Sequence, residues 1–74
     1  MNNMEKNIEQ RIRIGKEVMQ LRARSNLTQQ QLSDKSGVTR ANIAKIEAGR
    51  YSVGFDVIQR VAEALDSDIK LVKR

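Results

Sequence analysis

The 74-residue chain has no cysteine and no histidine. Disulfide staples and the usual zinc sites are therefore excluded, and no metal or other cofactor is expected. Histidine is the commonest general acid–base, and cysteine is a ready nucleophile. An enzyme lacking both would need carboxylates, lysines or hydroxyls converging in a deep pocket, and so short a chain has little room for one. Enzymatic activity is not expected. Long apolar runs are missing too. Nothing approaches the roughly 18 residues of a membrane span. The leading Met-Asn-Asn-Met-Glu-Lys has no apolar stretch behind it of the kind a signal peptide carries. The expected setting is cytoplasmic, without a membrane partner. Proline is absent, and no repeat or low-complexity tract breaks the chain, so residues 1–74 are expected to form one domain.

Charge and periodicity are what the sequence does supply. The 14 basic and 9 acidic residues leave a formal net charge of +5. That excess favours a polyanionic partner without identifying one. Ile14, Val18 and Leu21 recur at helical spacing, with Ile8 and Ile12 one turn apart upstream. A first helix is predicted over about residues 7–24, after an N-terminal arm at 1–7 and before the poor helix formers Ser25 and Asn26. Thr28 followed by Gln31 makes a capping-box pattern for a second helix. That helix buries Leu32 and ends at Ser36 and Gly37, the glycine suiting a left-handed position. Val38 is an apolar plug in the turn. Thr39 caps a third helix, which buries Ile43 and Ile46 and stops at Gly49. A fourth spans about residues 55–65, where Ile58, Val61, Ala62 and Leu65 line one face. Residues 68–72, Asp-Ile-Lys-Leu-Val, predict a short strand. The expected fold is all-α: a compact bundle of four or five helices, with a C-terminal strand at 67–74.

Two short capped helices joined by a glycine turn make a helix-turn-helix. In that motif the first helix crosses the phosphate backbone and the second lies in the major groove. The first turn of the third helix, Thr39-Arg40-Ala41-Asn42, carries no acid, and none follows until Glu47. Helix N-termini favour acids, so an arginine there makes sense if a polyanion faces it.

The run Leu27-Thr28-Gln29-Gln30-Gln31-Leu32, then Gly37-Val38-Thr39, then Ile43 and Ile46-Glu47-Ala48-Gly49, resembles the Cro/cI-type (XRE family) helix-turn-helix. The resemblance covers about residues 14–65, with turn, cap and core positions in register. It implies a DNA-binding transcriptional regulator, acting as a homodimer on a near-palindromic operator and found with the nucleoid in the cytoplasm. It implies base reading by Arg40, Ala41, Asn42 and Lys45. Arg40 suits guanine and Asn42 suits adenine, each by a bidentate contact. Lys45 reaches a base or a phosphate, and Ala41 offers at most a methyl contact to thymine. Gln29, Thr39, Arg50, Tyr51 and Ser52 match phosphate-contacting positions. Tyr51 could instead cover the edge of the core, and Gln29 could be an ordinary polar helix residue. Arg22 and Glu47 match an ion pair that bridges the first and third helices. Arg11, Arg13, Lys16 and Arg24 are expected on the solvated surface.

The dominant reading is a DNA-binding regulator, either repressor or activator, with a repressor favoured. The alternative is an antitoxin that binds a toxin partner as well as its own operator. The tail strand is expected to pair antiparallel with its copy in a second protomer. Ile69 and Leu71 would then face the helices, with Lys70 outward.

Overall fold

The computed structural model describes residues 3–73. Four helices form among them: α1 (Asn3–Arg24), α2 (Gln29–Ser36), α3 (Arg40–Glu47) and α4 (Phe55–Ala64). Helix α1 begins at Asn3, so the arm expected over residues 1–7 is helical from that point, and residues 1 and 2 lie outside the described region. The cause is local. Met4, Glu5 and Lys6 are sound helix formers. Glu5 in the first turn complements the positive helix terminus. The helix ends where Asn26 adopts a φ of 58°, a left-handed conformation that asparagine tolerates better than most residues.

Helices α1 and α2 both pack on α3, and α2 packs on α4 as well. Leu32, Ile43, Ile46 and Val61 are fully buried at the centre of the core. Burying an aliphatic side chain of this size stabilises by roughly 1.5–3 kcal/mol. Val38 plugs the turn between α2 and α3, and Ile58, Ala64 and Leu65 close the α4 side. Helix α1 crosses the C-terminal end of α3 at Gly15. A Cβ at that glycine would collide with the Ile46 carbonyl oxygen and lie 3.0 Å from that of Glu47. Beyond the crossing α1 overhangs the bundle, leaving Met4, Ile8 and Ile12 exposed.

The predicted C-terminal strand does not form, and residues 67–73 are neither helix nor strand. A strand needs a neighbour for its backbone N–H and C=O groups. No other strand exists among the described residues to provide one. Ile69 lies at an apolar cleft between α1 and α4, beside Ile14, Val18, Leu21 and Leu65. Leu71, expected on the same inward face, is fully exposed, and Val72 is mostly so.

Candidate nucleic-acid interface

The turn that orients α3 is built from three local devices. Thr28 Oγ1 accepts the Gln31 backbone N–H at 3.0 Å. The Gln31 side chain in return accepts the Thr28 N–H at 2.8 Å. This reciprocal cap is the one the sequence predicts. Gly37 follows α2 at φ 74°, its N–H donating to the Ser33 carbonyl, and any side chain there would meet left-handed strain. Thr39 Oγ1 then accepts the Asn42 N–H at 3.2 Å to start α3. That bond uses one lone pair of the hydroxyl and leaves its O–H free to donate outward.

Helix α3 divides cleanly into two faces. Ile43 and Ile46 are buried. Arg40, Ala41 and Lys45 are exposed, and Asn42 is half-buried. At 3.6 residues per turn, Ala41 and Lys45 stack near the middle of the outward face, with Arg40 and Asn42 at its two margins. Neither α2 nor α3 has an acid in its own first turn, where a carboxylate would offset the partial positive charge of the helix terminus. Arg50 and Ser52, after α3, are exposed as well.

One carboxylate ties this face to the scaffold. Arg22 Nε donates to Glu47 Oε2 at 2.6 Å, and Arg22 Nη2 donates to Glu47 Oε1 at 2.9 Å. The third nitrogen, Nη1, donates to the Leu27 carbonyl at 2.8 Å. Gln29 Nε2 adds a bond to Glu47 Oε1 at 3.1 Å. The bond to Glu47 holds the Arg22 guanidinium above its ordinary pKa, with burial opposing and the carboxylate charge assisting. The Arg22–Glu47 pair is the one implied by the resemblance. The Gln29–Glu47 bond was not legible: the two residues are 18 apart, and nothing in their spacing announces it.

Tyr51 lies where the core-edge alternative puts it. It is 8% exposed and belongs to the buried cluster. Burial pushes its hydroxyl above the ordinary tyrosine range, partly offset by the charges of Arg11 and Arg13. Elsewhere, no group of three or more His, Cys, Asp or Glu among the described residues could hold a metal. No helix among them is long and apolar enough to cross a membrane.

Comparison with known proteins agrees with this geometry. A family model described as Helix-turn-helix matches residues 18–72. An uncharacterized HTH-type transcriptional regulator of Methanothermobacter thermautotrophicus is 46% identical over 39 residues, which cover 53% of this chain and 56% of that protein. The chain thus spans about half the length of that relative. No solved structure matches significantly.

Proposed function

The chain belongs to the helix-turn-helix family, and from that premise we propose that it is a sequence-specific transcriptional regulator of the XRE type, a repressor, reading double-stranded DNA with α3. One observation carries the reading: the outward face of α3 is free of acid and held against the scaffold by the Arg22–Glu47–Gln29 network. Arg40 and Asn42, at the margins of the first turn, have the chemistry for bidentate contacts to guanine and adenine. Lys45 follows one turn from Ala41 on the same face and meets a base edge or a phosphate, while Ala41 contributes at most an apolar touch. The Thr39 hydroxyl, Arg50 and Ser52 take phosphates, and Gln29 reaches backbone from the start of α2 with its amide already oriented by Glu47. Tyr51 contributes through its backbone and by supporting the loop, since its ring is buried.

A single head of this size covers only a few base pairs. Two heads about 34 Å apart engage successive major grooves on one side of the duplex, and this supports action as a homodimer on a near-palindromic operator. Selection of bound duplexes from a random pool tests binding, sequence and half-site spacing together. The expected product is a two-fold-related pair of half-sites. Arg40→Ala or Asn42→Ala relaxes preference at one position per half-site and weakens binding by about 1–3 kcal/mol. Arg50→Ala weakens all sequences alike and makes the salt dependence shallower. An Arg40→Ala, Asn42→Ala double variant that selects the same sequence with the same affinity refutes the reading.

A further inference from the structure

The first half of α1 precedes the family match, which begins at residue 18, and it carries a cation that the motif does not account for. Ile12 rests on Gly49 just after α3: a Cβ on that glycine would come within 2.8 Å of Ile12 Cγ1 and 3.0 Å of Ile12 Cα. This contact fixes the register of α1 against the start of the loop, with Arg11 the residue before Ile12 in the helix. The charges of Arg11 and Arg13 both lower the Tyr51 pKa against the larger effect of burial. Those two arginines differ in what else they meet. Arg13 donates to Gln10 at 2.8 Å and lies 3.4 Å from Glu17, so its charge is largely matched along α1. Arg11 is half-buried and has no ion pair among the described residues. Arg50 follows Gly49 and is exposed, also without an ion pair among them.

Arg11 and Arg50 each flank a residue of the Ile12–Gly49 contact, and neither has an ion pair among the described residues. On a polyanion lying across the loop, each such cation displaces a condensed counterion. We propose that Arg11 is an additional phosphate contact, carrying the backbone track from the 50–52 loop onto α1. The inference rests on the duplex-binding reading above and deepens it. Arg11 adds affinity and no base preference. It makes the N-terminal half of α1, which overhangs the bundle, part of the nucleic-acid-binding surface.

The experiment titrates the full chain into a duplex carrying its selected site, and into a scrambled duplex, across a salt series. Thermal melts run alongside. Arg11→Ala is expected to weaken both duplexes by the same factor and to lower the slope of log K against log salt by about 0.9. Arg11→Lys retains the slope, because a lysine also displaces a counterion. If Arg11→Ala also lowers Tm, Arg11→Gln and Arg11→Lys, compared below both melting points, decide the matter. A slope lost with glutamine and kept with lysine upholds the proposal, and equal slopes overturn it. An affinity loss confined to the selected site also overturns it. Wild-type protein that binds no duplex refutes the parent reading instead. Wild-type protein that binds its site while every Arg11 variant keeps its slope overturns this inference alone.

Discussion

Replacing Glu47 with alanine removes a carboxylate that three helices share. Arg22 loses two hydrogen bonds of 2.6 and 2.9 Å, and Gln29 loses its bond of 3.1 Å. The side chains of Arg22 and Glu47 are only 18% and 5% exposed, so the solvent-screened value of about 0–1 kcal/mol for a surface pair does not apply. Removing one partner of a buried pair costs about 3–5 kcal/mol, because the other charge is left stranded. Arg22 keeps some contact with water and its bond to the Leu27 carbonyl, which places the expected loss near the lower end, about 3 kcal/mol. A chain of this length holds roughly 4–11 kcal/mol in all. At about 4–8 °C per kcal/mol, Tm should fall by roughly 12–24 °C. Circular dichroism melts and urea titrations of Glu47→Ala measure it. The double variant Arg22→Met, Glu47→Leu is expected to be milder than Glu47→Ala alone, since no unpaired charge remains. A loss below about 1 kcal/mol for Glu47→Ala, or a double variant as damaging as the sum of the singles, would refute the reasoning.

Two further perturbations probe the scaffold. Gly15→Ala adds a methyl group where the Ile46 carbonyl leaves no space. Overpacking at about 1–3 kcal/mol outweighs the gain of about 1 kcal/mol that alanine brings to a helix, so Tm should drop, and a rise would show that α1 shifts freely. Tyr51 has its folded pKa raised by burial above the ordinary value near 10.0. Its contribution is fully present below that value and is lost as pH rises through the folded pKa, because the unfolded chain releases its proton first. Tyr51→Phe should flatten the alkaline limb of a stability–pH curve, and coincident wild-type and variant slopes above pH 10 would count against the buried hydroxyl.

Local signals were the legible ones. The Thr28–Gln31 box, the left-handed Gly37 and the Thr39 cap are short-range chemistry, and all three form as the sequence predicts. So do the buried positions Leu32, Ile43, Ile46, Ile58 and Val61, whose spacing marks one face of each helix. What the sequence left hidden depends on tertiary placement. Nothing in the sequence around Gly15 announces that α3 passes across it. Gln29 matches a phosphate-contacting position in the sequence, but its bond to Glu47 appears only in the fold. The tail pattern from Asp68 to Val72 satisfies strand propensity, but propensity provides no partner, and Leu71 remains in water. Ile8 and Ile12 obey helical spacing yet stay exposed, because periodicity locates a stripe without locating what covers it.

Helix α3 separates an anchoring face from an exposed one. Ile43, Ile46 and Glu47 hold it in place, whereas Arg40, Ala41 and Lys45 are exposed and their side chains form no hydrogen bond or ion pair with the rest of the described chain. Substitutions on the outer face therefore leave folding almost untouched, and changes on the inner face disturb it severely. Such a helix behaves like movable type in a fixed frame. On the proposed reading, a new target sequence lies a few surface substitutions away, each of them reachable without passing through an unfolded ancestor.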